Sequence, residues 1–145
     1  MVSEYVSPAF LNRRPGLSAA SCHSDALGYL VDGVILAPRW AAGMKALGRP
    51  EFSPNQWIWF NLLGLVSGIV AVWIYAAIRP RFGAGPTTAI YAGLSVWVVG
   101  ALLPNLSFMC FAGLFSRHLT LYTTLGALFE LVTGTVAGAA LYKEP

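Results

Sequence analysis

Charged residues are scarce in this chain, and long segments contain none. Asp, Glu, Lys and Arg make up 10% of its 145 residues, whereas an ordinary soluble domain carries about a quarter. No charged residue occurs between Glu51 and Arg79 or between Arg81 and Arg117. Each of these segments exceeds the roughly 20 residues that cross a bilayer. The sequence therefore predicts an integral membrane protein, because a soluble fold could not hide 57% hydrophobic residues.

Cysteine and histidine are also rare, with two residues of each. Cys22 and Cys110 lie in apolar surroundings of different segments without a CxxC pair, so we expect buried, inert thiols and no disulfide framework. The sequence contains no HExxH motif, phosphate loop or Ser/His/Asp arrangement. We therefore predict a protein without enzymatic activity, metal or obligatory cofactor, although a bound lipid or pigment stays open.

A pigment or haem would need a ligand, and His118 is the candidate because an interfacial histidine can bind iron or magnesium. The other histidine, His23, is expected near the opposite membrane boundary, which disfavours a haem held by both. We expect His118 to be a loop residue at the surface and Trp97 to be a large packing side chain. The nine basic residues form no block or stripe, so nucleic acid is excluded as a partner.

Hydrophobic patterning predicts an all-α integral membrane bundle of four transmembrane helices at about residues 17–37, 56–78, 87–111 and 119–142. Residues 1–15 are predicted to be an N-terminal tail, and residues 16–145 a single transmembrane domain. Pro38-Arg39-Trp40 is predicted to end the first helix, with a polar connection after it. Pro104 is expected to kink the third helix.

The first helix is the least certain span, because Ser21, His23, Ser24 and Asp25 interrupt its apolar character. Three interpretations are open: a span with a polar lining from about Leu17 to Ala37, a re-entrant or interfacial helix, or an imperfect span that its neighbours cover. We favour the first of these.

Orientation is predicted from the basic residues that flank the spans. Arg79 and Arg81 lie in the short turn between the second and third helices. They favour a cytoplasmic position for this turn and for both termini, in the inner membrane of a bacterium.

Small residues recur at helical spacing in each predicted span. Because lipid provides no hydrophobic gain for helix association, small residues and polar contacts hold membrane helices together. This pattern predicts a tightly packed bundle with GxxxG-type contacts through Gly64, Gly68, Gly93, Gly100, Gly126, Gly134 and Gly138.

Polar residues within the spans are the candidate functional residues. Glu130 lies near the middle of the fourth helix, where a charged carboxylate costs at least a few kcal/mol unless it is protonated, paired or hydrated. Asp32, Asn61 and Asn105 are expected at compatible depths and could line one cavity with Glu130. Two interpretations are open: a proton- or cation-coupled carboxylate in a transport path, or a glutamate that fixes helix register through hydrogen bonds. We favour the second.

Four segments resemble a group of small uncharacterised bacterial integral membrane proteins with four helices. These segments are Gly28-Tyr-Leu-Val-Asp-Gly, Met44-Lys-Ala-Leu-Gly-Arg-Pro, Tyr75-Ala-Ala-Ile-Arg-Pro-Arg-Phe-Gly-Ala-Gly-Pro and Gly138-Ala-Ala-Leu-Tyr-Lys-Glu. The resemblance covers about the last four-fifths of the chain and implies no activity. The polar run Ser21-Cys-His-Ser-Asp25 departs from the group's smoothly apolar first helix.

Two functions follow as predictions. The first is a non-catalytic accessory or stabilising subunit that packs against itself or within a larger membrane complex, because small-residue faces are present and catalytic motifs are absent. The alternative is a small proton-coupled transporter or channel that uses Glu130.

Overall fold

The described part of the chain, residues 14–50 and 52–142 of the computed structural model, forms four long helical segments and one short helix, with no strand. In chain order these are α1 (Arg14–Gly28, continued by the π-helical segment Tyr29–Ile35), α2 (Ala37–Ala46), α3 (Pro54–Phe82), α4 (Pro86–Ala112) and α5 (Arg117–Leu141). The predicted all-α fold is confirmed. The predicted tail of residues 1–15 lies outside the described residues except for its last two.

Three helices are long and apolar enough to cross a membrane: Asn55–Phe82, Pro86–Ala112 and Arg117–Leu141. Their ends lie within four residues of the three corresponding predicted spans. The first predicted span, now α1, is not among the three. It packs against both α3 and α5 and is therefore part of the same bundle.

The polar residues that interrupt α1 make contacts with the neighbouring helices. Ser21 Oγ donates to the carbonyl oxygen of Leu65 in α3 at 3.1 Å. Ser24 Oγ donates to the carbonyl oxygen of Glu130 in α5 at 3.2 Å. Polar contacts between helices contribute on average about 0.6 kcal/mol each inside a membrane protein. These serines therefore attach α1 to the bundle instead of marking a break in it.

The short helix α2 is missing from the sequence prediction, which placed a polar connection after Pro38. The chain does leave α1 at Leu36, but Pro38 lies in the first turn of α2 and begins a new helix. Proline is well tolerated there, because the first backbone amides of a helix have no partner within the helix. Met44 is buried, so α2 lies against the bundle.

The second predicted span continues past its expected end at residue 78. α3 includes Pro80, which lacks a backbone N–H and so removes one helical hydrogen bond, and ends two residues later at Phe82. Gly83 follows with φ of 84°, a conformation that favours glycine. Arg79 and Arg81 therefore lie in the last turn of α3, where basic side chains suit the helix dipole.

Pro104 interrupts the regular helical geometry of α4, as the sequence predicts for this position. The α-helical turn Leu103–Ser107 lies between two π-helical segments, Val98–Leu102 and Phe108–Ala112. A proline ring clashes with the carbonyl four residues earlier, here that of Gly100, and a wider turn relieves this clash.

The bundle is packed most completely at the end that holds the turn between α3 and α4. Its buried cluster consists of Val72, Tyr75, Ala89, Ala92 and Tyr142. A second cluster, nearer the middle, consists of Ala71, Val96 and Leu131. The other half of the bundle contains the cavities described below.

Several of the predicted packing glycines lie where two helices meet. A Cβ atom at Gly68 would lie 2.9 Å from the Cα of Ser21, and one at Gly93 would lie 2.9 Å from the Cα of Val132. At Gly126 it would lie 2.7 Å from Val31 Cγ1. Gly134 and Gly138 are buried on α5, whereas a Cβ at Gly100 would meet no atom within 4 Å.

Candidate functional site

A cavity of about 210 Å³ lies among α1, α3, α4 and α5. We call it the central cavity. Its polar lining comes from the carboxylates of Asp25 and Glu130 and the hydroxyls of Ser24 and Ser67. Among the described residues, no lysine or arginine lines it; the other lining residues are Gly28, Phe60, Leu63, Gly64, Gly100, Ala101, Ala127 and Leu131.

Glu130 extends from the middle of α5 towards α1. Its Oε2 atom lies 3.2 Å from the position that a Cβ of Gly28 would occupy, so glycine leaves room for the carboxylate. Its Oε1 atom is buried and has no hydrogen-bond partner in the described part of the chain. A buried polar atom without a partner is unfavourable. A proton, a cation or water within the cavity could provide that partner.

Asp25 approaches the same cavity from α1. Its Oδ1 atom lies so close to Gly64 of α3 that a Cβ there would overlap it. Gly64 therefore makes the space that the carboxylate occupies. Neither Asp25 nor Glu130 forms an ion pair within the described residues.

Asp32 lies in a second cavity, of about 280 Å³, at the end of the bundle opposite the turn between α3 and α4. Asp32 is 8% exposed, and its Oδ1 accepts a hydrogen bond of 3.0 Å from Trp40 Nε1. We call this the aromatic cavity; it is lined by Asp32, Trp40, Met44, Phe52, Gln56, Trp57, Phe60 and Phe115.

The five aromatic rings around this cavity form a continuous series of edge-to-face contacts. The ring centroids of Phe115 and Trp40 are 5.1 Å apart, and those of Trp40 and Phe52 are 5.7 Å apart. Phe52 and Trp57 follow at 5.8 Å, and Trp57 and Phe60 at 6.2 Å. Phe60 lines both cavities, so its ring lies between them.

The four residues of the predicted polar cluster do not share one cavity. Asn61 is exposed, and its Nδ2 donates to the carbonyl oxygen of Trp57 in the same helix at 2.7 Å. Asn105 Nδ2 donates to Thr124 Oγ1 at 2.8 Å and joins α4 to α5. Glu130 lies in the central cavity and Asp32 in the aromatic cavity.

Neither Arg39 nor Arg117 forms an ion pair with Asp32 in the described part of the chain. The guanidinium carbon of Arg39 lies 4.9 Å from the ring centre of Tyr122, and Arg117 is exposed. His118 is exposed, as predicted for a surface residue. In the described ranges, no group of three or more His, Cys, Asp or Glu side chains could hold a metal ion.

Trp97 lies between two helices, whereas the two cysteines lie at the surface. Trp97 is partly buried and donates from Nε1 to the carbonyl oxygen of Thr124 at 2.8 Å, so it joins α4 to α5. Cys22 and Cys110 are both exposed on the chain's surface. The prediction of buried thiols is therefore wrong, because apolar neighbours in sequence can equally face lipid.

Two parts of the site were not predicted as functional. From the sequence, Asp25 is named only as a residue that interrupts the apolar character of the first helix and is not grouped with Glu130; its position one turn before Gly28 is the signal that relates them. The aromatic cavity combines α1, α2, α3 and the turn after α4, and no local sequence signal brings Phe52 and Phe115 to Trp40.

These observations define a helical protein with three helices that could cross a membrane and two cavities that contain carboxylates. Comparisons with protein-family models, with curated proteins and with solved structures give no match.

Proposed function

We propose that this protein is a small multi-pass membrane protein that moves protons or cations, using Glu130 and Asp25 in the central cavity. The observation that carries the proposal is the placement of two carboxylates on one cavity that no basic residue of the described part of the chain lines. This choice reverses the preference from sequence alone, which favoured a structural role for Glu130.

The carboxylates of Glu130 and Asp25 favour a partner that can bind and leave, such as a proton or a cation. A carboxylate in a low-dielectric region is costly unless a proton, a cation or hydrogen-bond donors neutralise it. Glu130 Oε1 has no such donor within the described residues. Asn61 and Asn105, which could have fixed Glu130 through hydrogen bonds, are engaged elsewhere. Binding and release of a proton or cation is the chemistry that this arrangement supports.

The proposal includes α1 as a fourth transmembrane helix. Ser21 and Ser24 face α3 and α5 rather than lipid, which supports a span whose lining is polar. Four spans would place both termini on the side of Arg79 and Arg81, and the positive-inside rule favours the cytoplasm for that side. A bacterial inner membrane and the resemblance to small four-helix bacterial proteins remain parts of this proposal.

Reconstitution in liposomes tests the transport function. Purified protein is incorporated with a pH-sensitive dye in the lumen, a pH gradient is imposed, and Na⁺, K⁺ or a hydrophilic quaternary ammonium ion is added outside. We expect at least one cation to dissipate the gradient in wild-type liposomes. Glu130→Gln should reduce this rate to that of protein-free liposomes, because the amide cannot exchange a proton at neutral pH.

Asn61→Ala provides the matched control, since it removes an intramembrane polar side chain that does not line the central cavity. It should retain the wild-type rate. If Glu130→Gln dissipates the gradient as fast as wild type for every active cation, or if no cation acts on wild type, the transport proposal is wrong.

An accessory-subunit function is the second candidate. The part of α4 from Trp97 to Ala112 contains no buried residue within a single copy. Phe111, in this part, is 89% exposed. A partner helix that covers this surface would complete its packing, and photo-crosslinking from position 111 tests for such a partner.

A further inference from the structure

We propose that the aromatic cavity binds a small organic cation that carries a quaternary ammonium group. This inference goes beyond the proposed transport function and does not depend on it, because the aromatic cavity could bind such a ligand with or without flux through the central cavity.

The chemistry of the lining identifies the ligand class. Five aromatic rings surround the cavity, and Asp32, which is 8% exposed, contributes the only charged side chain among the described residues that line it. The faces of aromatic rings attract cations, and aromatic cages are the recurrent means by which proteins recognise quaternary ammonium groups. When it is ionised, the carboxylate adds a negative charge, which selects a cation over a neutral molecule of the same shape.

The hydrogen bond between Trp40 and Asp32 holds the charged and aromatic parts of the site together. Trp40 Nε1 donates to Oδ1 of Asp32, and no other hydrogen bond or ion pair engages this carboxylate in the described part of the chain. Asp32 also lies in the π-helical segment Tyr29–Ile35, a rare geometry that is often found at functional sites.

The size of the cavity fits a small ligand. The aromatic cavity of about 280 Å³ adjoins a smaller one of about 140 Å³, and both are lined by Asp32, Trp40, Met44, Phe52 and Trp57. Small-molecule sites usually measure about 300–1,000 Å³, so the space suits a ligand at the small end of that range. Choline and benzyltrimethylammonium are suitable probes.

Isothermal titration of the full-length protein in a maltoside detergent tests the inference. We expect choline to bind and its neutral isostere, 3,3-dimethylbutan-1-ol, to bind about tenfold more weakly or not at all, because it lacks the charge. Equal affinity for the two compounds, or no binding of either probe cation, would overturn the proposal.

Two substitutions locate the site. Asp32→Asn keeps an oxygen that can accept from Trp40 but removes the charge, and it should weaken choline binding about tenfold. Trp57→Leu should weaken it as well, whereas Trp73→Leu should not, because Trp73 is 67% exposed elsewhere on α3. Unchanged affinity in both folded Asp32→Asn and folded Trp57→Leu would contradict the assignment. If either variant does not fold, the comparison of choline with its neutral isostere on the wild-type protein still tests the proposal.

A nuclear magnetic resonance readout separates this site from non-specific binding. In protein labelled with ¹⁵N at its indoles, choline should shift the Trp40 and Trp57 resonances and leave the Trp73 resonance in place. Equal shifts at all three would indicate partitioning into the detergent and overturn the proposal.

The trimethylammonium group can come from a free amine or from the headgroup of phosphatidylcholine. Nanodiscs with and without phosphatidylcholine distinguish these sources: competition by the lipid assigns the site to a headgroup, and unchanged choline affinity assigns it to a soluble ligand. The binding experiments measure no flux, so their outcome is independent of the transport proposal. If choline binds but Glu130-dependent transport is absent, the aromatic cavity remains a cation site and only the transport proposal is wrong.

Discussion

At the scale of single residues, the absence of a side chain decides how closely the helices approach. Gly28 and Gly64 leave room for the carboxylates of Glu130 and Asp25, and Gly68 and Gly93 allow helix backbones to approach each other. Backbone atoms cannot rotate away as a side chain can, so the last two contacts tolerate substitution least. Alanine at a glycine that faces backbone can therefore be compared with alanine at a glycine that faces open space.

Gly93→Ala should destabilise the protein by about 1–3 kcal/mol relative to Gly100→Ala. The new methyl group would lie 2.9 Å from the Cα of Val132, whereas at Gly100 it would meet nothing within 4 Å. Alanine also favours α-helix over glycine by about 1 kcal/mol, and comparing two glycines of the same helix reduces the influence of that gain on the difference. Thermal unfolding in detergent measures the difference, and equal midpoints would mean that α4 and α5 are not closely packed at Gly93.

Among the helices, α1 is the one whose position, across the membrane or not, decides the topology. It contains Asp25 and Asp32, contacts both α3 and α5, and yet is not one of the three helices that qualify as spans by length and apolar character. If α1 crosses the membrane, its two ends lie on opposite sides; if it is re-entrant, they lie on the same side.

Site-directed labelling distinguishes these topologies. In a background with Cys22→Ser and Cys110→Ser, which removes both exposed thiols, single cysteines are introduced as Gly16→Cys, Leu47→Cys and Ala84→Cys. We expect an impermeant maleimide to label positions 16 and 84 from one side of the membrane and position 47 from the other.

Positions 47 and 84 are the controls, because they flank α3, a candidate span. Labelling of position 16 from the same side as position 47 would show that α1 does not cross, and the four-span proposal would then be wrong.

In the molecule as a whole, the packing of the bundle changes along its length. The end near the turn between α3 and α4 is a packed core of Val72, Tyr75, Ala89, Ala92 and Tyr142. The middle contains the central cavity, and the opposite end contains the aromatic cavity. The second half of α4, from Trp97 to Ala112, contains no buried residue and leaves an apolar surface exposed.

A photo-crosslinking experiment tests whether a protein covers that surface. A benzoylphenylalanine introduced at Phe111, 89% exposed, is compared with one at Trp73, 67% exposed on α3. An accessory subunit or oligomer should give a discrete protein adduct in the native membrane from position 111, whereas position 73 should react with lipid alone. Absence of any adduct at 111 would reject a partner at this surface and weigh against the accessory function.

The sequence by itself determined the helical class and the three apolar helices, because composition and the length of an uncharged segment are local properties. It also indicated most of the glycines that lie at helix contacts, since residues four apart share a helix face. It did not predict α2, because Pro38 can end one helix or begin the next, and only packing of Met44 against the bundle decides between them.

The tertiary structure decided which polar groups meet. Asn61 turns to its own helix, Asn105 bonds to α5, and Asp25 rather than Asp32 joins Glu130. The aromatic cavity depends on four separate segments converging at one end of the bundle. Such convergence is set by the rotation and spacing of whole helices, which a hydrophobic pattern along one chain does not specify.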